Sequence, residues 1–386
     1  MHKERILFLF LKTGGGHISA ARALSRRIEE LYGNNAETFL LDPIPPGQAW
    51  ARTVLEDGYR FASNIFSPSW ILLFEISRSK WIRLLENTAM TLLSGNTIAR
   101  EIKKHSITKV VILHFLLIYP AHHAIKKLDK KIPALIVITD PFSVHSLWFG
   151  KPQIPRIVFS DQAIREGVEN YNISPKKIYK FPLILRRQFE TPLSDNERIE
   201  KRRELGFSTE KPLLLFAGGG EGLPKGEKYV KAFLRSSIDA EIAVVCGNNI
   251  SQKKRIQQLC SRFPHKKVTV YGYIDFMFEL MNMADIIIAK GGPATVMEVL
   301  ILKKPLIVTQ YVYGQERGNV DFLLKNGVGY YIDNPKGMVK KTEYLLKNPS
   351  RYNRMMRRIE ALNIRNGTDP VARFIISFSE DPLHAF

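Results

Sequence analysis

Cysteine is nearly absent, with Cys246 and Cys260 the two in 386 residues. That excludes a disulfide framework and makes a reducing compartment the simpler expectation. No stretch of 18 apolar residues occurs, so no spanning helix is expected. The opening Met1-His2-Lys3-Glu4-Arg5 leads straight into the apolar run Ile6 to Leu11. That run is too short for a signal-peptide core and lacks a small-residue cleavage site, so no signal peptide is expected. Acidic residues are scarce, 37 Asp+Glu against 57 Lys+Arg, leaving a net charge of +20. Such a balance points to an anionic partner: nucleic acid, an acidic membrane surface or a phosphorylated substrate. A well-solvated basic surface is the plainer alternative. With 45% hydrophobic and 24% charged residues, the chain is neither disordered nor collagen-like.

The length suits two domains of roughly 180 to 200 residues. The first opens with the apolar run Ile6 to Leu11, then Gly14-Gly15-Gly16, then a helical pattern through Ala20, Ala23, Leu24, Ile28 and Leu31. Strand-like runs follow at Glu37 to Leu41, Lys109 to Leu113, Ala134 to Ile138 and Arg156 to Phe159. Strands alternating with helices predict a doubly wound parallel sheet. The rhythm restarts after the polar stretch Glu190 to Glu210. Runs at Pro212 to Ala217, Ala240 to Cys246, Lys267 to Tyr271, Ile286 to Ala289 and Pro305 to Thr309 predict a second α/β domain of similar plan. Two Rossmann-like domains joined near residue 190 would face each other across a cleft lined by the carboxyl ends of both sheets, where such folds bind ligands.

Residues 50 to 100 fit neither sheet. They mix Trp50, Tyr59, Phe61, Phe66, Trp70, Phe74 and Trp81 with Arg52, Arg60, Arg78, Lys80 and Arg83. Trp81, Leu84, Leu85, Thr88 and Leu92 fall on one helical face. Aromatic rings among cations suit a membrane interface. A helical insertion packed on the sheet fits equally well, and both can hold.

Three segments carry candidate chemistry. In Thr13-Gly14-Gly15-Gly16-His17, glycines between strand and helix free backbone amides for a ligand. His17, on the first turn, is either a general base or an ordinary polar residue after a phosphate-binding turn. As a dinucleotide fingerprint, Gly14-x-Gly16-x-x-Ser19 is degraded, even with Asp42 placed to hold a ribose, so an oxidoreductase is disfavoured. Lys290-Gly291-Gly292-Pro293-Ala294-Thr295 turns from a strand into a helix and would set amides against a diphosphate, with Glu298 inside that helix able to accept two ribose hydroxyls. Beyond the next strand, Gly314-Gln315-Glu316-Arg317-Gly318-Asn319 offers Gln, Glu and Asn to sugar hydroxyls. His122 and His123 are adjacent, but no matching ligand spacing surrounds them, so no metal site is expected there.

The run Lys290 to Glu298 followed by Gly314 to Asn319 resembles the donor site of the monogalactosyldiacylglycerol synthase and processive diacylglycerol glucosyltransferase family. Thr13 to His17 is similar to that family's first motif. Gly218-Gly219-Gly220-Glu221-Gly222, Val245-Cys246-Gly247-Asn248 and Tyr271-Gly272-Tyr273-Ile274 with Met277 resemble further donor-side motifs. His114, and Thr139-Asp140 with His145 and Trp148, resemble its acceptor side. The likeness runs collinearly through nearly the whole chain and extends to the transferase that adds N-acetylglucosamine to the lipid-linked peptidoglycan precursor.

The resemblance implies a GT-B glycosyltransferase that inverts configuration and needs no metal or other cofactor. No Asp-x-Asp pair, the metal-holding element of the other main glycosyltransferase fold, occurs in the chain. It implies an acceptor and membrane-binding domain at 1–189, a UDP-sugar domain at 190–360 and a last helix within 361–386 that returns to the first domain. The expected partners are UDP-glucose or UDP-galactose, diacylglycerol and an anionic membrane touched by Trp70, Arg78, Lys80, Trp81 and Arg83. The location implied is peripheral, on the cytoplasmic face. His17 would be the base, with Asp140 or His145 as alternative base or orienter. Departures cluster on the acceptor side: Lys12 before Thr13, Pro141, Val144 and Ser146 after Asp140, and no proline after His114. Another lipid alcohol therefore stays open as acceptor, as does a UDP-N-acetylglucosamine 2-epimerase-like reaction. No nucleic-acid-binding module is visible, and nucleic acid is not an expected partner.

Overall fold

A computed structural model describes residues 3–12, 15–45, 47–57, 75–76, 79–129 and 131–379. Gly14, Trp70 and Arg78 lie outside the described residues, and of Lys80 only the backbone is described. The chain divides into two compact units. The first takes residues 1–187, 313–315 and 366–386, and the second takes 188–312 and 316–365.

In the first unit six parallel strands lie in the order β2-β1-β3-β4-β5-β6. They are β1 (Glu4–Leu9), β2 (Ala36–Leu41), β3 (Lys109–Ile112), β4 (Ala134–Val137), β5 (Arg156–Val158) and β6 (Ile178–Lys180). Alternation along β1 assigns its side chains to two cores. Leu7 and Leu9 join Ile98, Ile102, Val110 and Ile112 on one face. Ile6 and Phe8 join Ala21, Leu24, Ile28 and Val111 on the other. The second face is covered by the helix Gly15–Tyr32 and, from the far end of the chain, by the helix Thr368–Ser377, whose Val371, Ala372 and Ile375 belong to the same cluster. Two polar anchors fix that last helix. Arg27 Nε donates to Asp369 Oδ1 at 2.8 Å. The buried Lys109 Nζ donates to the Ile375 and Ile376 carbonyls at 2.6 and 2.8 Å, meeting orphan acceptors of a helix end with a cation.

The second unit repeats the plan in the order β12-β11-β10-β7-β8-β9. Its strands are β7 (Leu213–Ala217), β8 (Glu241–Val245), β9 (Val268–Tyr271), β10 (Ile286–Lys290), β11 (Leu306–Gln310) and β12 (Gly329–Tyr331). All pairings are parallel. The helix Asp195–Glu204 enters through a reciprocal capping box of Ser194 and Glu197. Its Arg202 is buried against Asp285, Nη2 to Oδ2 2.7 Å, just ahead of β10.

Both sheets have a switch point where successive connections run in opposite directions. In the first it lies between β1 and β3, and in the second between β7 and β10. Crevices at the carboxyl ends of such strand pairs are where open α/β sheets hold ligands. The chain segments leaving these four strands carry His17, His114, Gly218–Gly222 and Lys290–Gly292.

Candidate functional site

The first crevice is built from histidines. The helix Gly15–Tyr32 follows β1 and sets His17 on its first turn. His17 is 5% exposed. Its Nδ1 lies 2.8 Å from Thr139 Oγ1, just past β4. The His114 ring packs edge-on against it, with centroids 4.7 Å apart. His114 caps the short turn after β3, its Nδ1 accepting the Leu116 N–H at 3.2 Å. His145 caps the next such turn in the same way, its Nδ1 accepting the Leu147 N–H at 3.3 Å. An Nδ1 that accepts leaves the ring proton of the neutral form on Nε2. Trp148 is wholly buried, and its Nε1–H donates to Asp140 Oδ2 at 2.8 Å. Phe115 links the group, 5.5 Å from the His145 ring and 5.6 Å from Trp148.

Burial decides the charge of these rings. It pulls His17 down to about 4, against a smaller opposing effect from a hydrogen bond with the Leu113 backbone. Burial also drives His114 well below the ordinary histidine value, and the neighbouring His17 adds to the shift. At neutral pH His17 and His114 are uncharged, and His17 is in the form a general base requires. Sequence reasoning did not assign Thr139 as the partner of His17. Its one signal is position: it is the first polar residue after the apolar run of β4.

The second crevice is built from backbone. After β7 the chain turns through Gly218–Gly222, where Gly219 and Gly222 have φ of +76° and +74°. Gly247, just beyond β8, has φ +56°, and a Cβ there would sit 2.2 Å from the Gly220 carbonyl oxygen. The two turns touch main chain to main chain, and Asn248 N–H donates to that same oxygen at 2.7 Å. Glycine at 247 is therefore required by close approach as well as by backbone conformation. Next to β7, strand β10 ends with a slip in its pairing on β11, where Ala289 faces Val308 but Lys290 faces Gln310. Irregularities of this kind re-aim a side chain at a strand end. Gly292 is the N-cap of the helix Pro293–Ile301, and no side chain caps that start. Its first-turn amides and positive dipole end are thus available to an anion. Pro293, Ala294 and Thr295 on this turn are half-buried, and Glu298 is buried farther in.

The remaining donor-side candidates are more dispersed. Tyr273 is exposed, while Ile274 and Met277 are half-buried, Met277 opening the helix Met277–Met283. Gly314 and Gln315 group with the first unit, Glu316 and Asn319 with the second. Asn319 is not on a loop, because the helix Arg317–Asn326 has already begun. Its Nδ2 donates to the Gly291 carbonyl at 2.8 Å. Glu316 Oε1 lies 3.1 Å from Lys290 Nζ.

Of the residues expected to touch a membrane, Trp81 is exposed and Arg83 is half-buried. Along the helix Lys80–Lys104, Trp81, Leu84, Leu85 and Leu92 are 78, 57, 65 and 78% exposed. Met90, Ile98 and Ile102 of the same helix are buried in the sheet's core, so it serves as a packed layer on one side and an open apolar face on the other. Among the described residues no helix is long and apolar enough to cross a membrane, and no three His, Cys, Asp or Glu side chains gather as metal ligands.

Comparison with known proteins follows this division of the chain. Residues 17–183 match the family model of monogalactosyldiacylglycerol (MGDG) synthase. Residues 219–369 match the glycosyltransferase family 28 C-terminal domain. The chloroplastic monogalactosyldiacylglycerol synthase of Spinacia oleracea is 28% identical over 346 residues, 87% of this chain and 65% of that one. Monogalactosyldiacylglycerol synthase 1 of Arabidopsis thaliana is 28% identical over 350 residues, 87% of this chain and 64% of that one. The chain thus spans just under two thirds of the length of these relatives. Among solved structures, MurG of Acinetobacter baumannii superimposes with a TM-score of 0.63 at 16% identity, covering 97% of this chain and 100% of that one. Anabaena HepE in complex with UDP and glucose gives 0.60 at 12% identity, covering 97% and 99%. The two family matches take up the two crevices in turn, the first from His17 through Trp148, the second from Gly219 through Asn319. The chain is a protein of the GT-B fold whose residues 17–183 match the monogalactosyldiacylglycerol synthase model and whose residues 219–369 match the glycosyltransferase family 28 C-terminal domain.

Proposed function

We propose that this protein transfers galactose or glucose from a UDP-sugar to diacylglycerol at a membrane surface, with inversion and without a metal. The observation that carries the reading is the pairing of two different crevices with two collinear family matches: a histidine-lined one within residues 17–183, and a glycine- and lysine-lined one within 219–369. The relatives, monogalactosyldiacylglycerol synthases by name, favour galactose.

The chemistry divides accordingly. The departing UDP gains negative charge as the glycosidic bond breaks. In the second crevice the first-turn amides of Pro293–Ile301 and the Lys290 ammonium are aimed to meet it, which is the task a cation performs in metal-dependent transferases. In the first crevice neutral His17 takes the proton of the acceptor hydroxyl as that oxygen attacks the anomeric carbon. Thr139 orients the ring, and Trp148 holds Asp140. A lipid acceptor requires contact with a bilayer. The exposed Trp81, Leu84, Leu85 and Leu92 supply apolar area, and the basic surface supplies attraction of about 1 kcal/mol per cation near an anionic leaflet.

The test is UDP release from a panel of UDP-sugars, with and without diacylglycerol in anionic vesicles, in EDTA and in a His17→Ala variant. The expected result is diacylglycerol-dependent release that survives EDTA and falls about 10²–10⁴-fold in the variant. Loss of activity in EDTA would refute metal independence. Release that ignores the lipid would refute the acceptor.

A further inference from the structure

The amino ends of β10 and β11 hold charged groups that the transfer reaction does not use. The crevice with Lys290 lies at the other end of these strands. Ile287 pairs with Leu306, and two residues earlier the same register sets Asp285 beside Lys304 on one face of the sheet. The helix Asp195–Glu204 lies against them, with Asp195, Arg198 and Arg202 at the i, i+3, i+7 spacing of a single helix face. Arg202 Nη2 donates to Asp285 Oδ2 at 2.7 Å, and its Nε donates to the Met283 carbonyl at 3.2 Å. The same Oδ2 accepts the Leu213 N–H at 2.7 Å, on the β7 side. The Asp285 carboxylate is thus drawn away from β11, and Lys304 is left behind. Lys304 is 6% exposed. Among the described residues no hydrogen bond or ion pair engages its ammonium. Burial pulls it down to about 7; Arg198 and Arg202 push the same way, against Asp285 and Asp195. Arg198 holds a second orphan. Its Nη1 meets Asp195 at 3.1 Å, but Asp195 is 91% exposed, and Arg198 Nε is buried with no acceptor among the described residues. Buried charged donors ordinarily find an acceptor, and two neighbouring ones here have none.

We propose that Lys304 and Arg198 form a site for one small monovalent anion of the chloride class, against the helix Asp195–Glu204 and at the end of the sheet remote from the donor crevice. The charge sets the class. Arg202 is matched by Asp285 and Arg198 by Asp195, which leaves the single charge of Lys304 to be met. A multiply charged anion would exceed it and would be repelled by the two carboxylates. The ion accepts from Lys304 Nζ and Arg198 Nε, favours the charged form of the lysine, and ties the first α-helix of the second unit to its sheet. A cavity of about 300 Å³, lined in part by Arg202, Asp285 and Tyr352, opens this end of the sheet to solvent.

The experiment melts the full chain in chloride and in gluconate at equal ionic strength and records the chlorine NMR line width. The basic surface attracts chloride everywhere, so the readout is the difference between wild type and variants. Wild type is expected to melt about 3–5 °C higher in chloride once the ion is in tenfold excess over its dissociation constant, and to broaden the chloride line. Lys304→Met keeps the length of the side chain and removes the charge. It should melt no lower than wild type in gluconate, gain less than about 1 °C from chloride and lose the excess broadening. Arg198→Met should lose the same two responses, and it decides the matter if Lys304→Met does not fold. Wild type that melts alike in both salts would overturn the inference and leave Lys304 a buried amine. A chloride response that either variant retains in full would overturn it as well.

Discussion

The burial of His17 has a thermodynamic consequence that can be measured without substrate. Its conjugate acid is pulled from the ordinary 6.5 down to about 4, chiefly because the pocket excludes water from the charged ring. The unfolded chain titrates near 6.5, so below that pH it binds a proton that the folded chain refuses. The contribution is therefore present above pH 6.5 and is lost as pH falls toward 4. At pH 5 the loss from this one ring comes to about 2 kcal/mol, against a few tenths at pH 7. His114 titrates low for the same reason and pushes in the same direction. Urea unfolding at pH 7 and pH 5 would show wild type losing about 2 kcal/mol more than a His17→Phe variant over that interval. NMR titration of the imidazoles assigns the effect to the ring. A His17 signal with its midpoint near 6.5, or equal pH sensitivity in the two proteins, would refute the reasoning. The catalytic counterpart is an acid limb of kcat/KM for His17 that lies below pH 5.

Other perturbations test the frame around the crevices. Gly247→Ala combines a left-handed backbone with a Cβ 2.2 Å from the Gly220 oxygen. It should cost about 3 kcal/mol in urea unfolding and weaken UDP binding; an unchanged midpoint would show that the two glycine turns can separate freely. Lys109→Met leaves the Ile375 and Ile376 carbonyls without their cation. A loss of about 1–3 kcal/mol is expected, with faster amide exchange across 368–377 than in the strands, and uniform exchange would contradict the anchor role. Replacing Trp81, Leu84 and Leu85 together by serine should reduce binding to diacylglycerol vesicles at least tenfold with little change in melting temperature, because these side chains are already in water. Undiminished vesicle binding would send the search for the membrane face elsewhere.

The long buried strands were legible because they are continuous apolar runs bounded by polar residues. Strands β6 and β12 were not. Each has three residues, Ile178-Tyr179-Lys180 and Gly329-Tyr330-Tyr331, and each is an edge strand that one neighbour's backbone defines more than its own pattern does. At the sites, the glycine turns and His17 stood out because strand, glycines and helix follow one another within a few residues. The contact of His17 with Thr139 spans 122 positions, and no local pattern encodes it. Gly314-Gln-Glu-Arg-Gly-Asn has no apolar period to announce a helix, so in sequence Asn319 reads as part of a loop. The helix begins at Arg317 all the same, and Asn319 turns to the Gly291 carbonyl. Arg156 is a further case. A cation in sequence, it is wholly buried, with Nη2 donating to the carbonyls of Gly150, Lys151 and Ile154.

The net charge of +20 also changes meaning once the crevices are described. A basic total suggests a basic active site, yet the first crevice is lined by His17 and His114, which burial keeps neutral, and in the second the Lys290 charge is matched by Glu316. The excess is found instead on outward faces, as on the helix Pro349–Ala361, where Arg351, Arg354, Arg357 and Arg358 are all exposed. Exposed charges act over about 8–10 Å at physiological salt and weaken as salt rises, whereas amides fixed at a helix start are screened far less. Electrostatics in this protein is thus divided by range. The surface charges act over many ångströms, whereas the crevices are built on short, preset hydrogen bonds. With His17 neutral and Lys290 paired with Glu316, these residues leave neither crevice an uncompensated charge of its own, so an anion entering the second crevice meets preset amides and a lysine already held in place.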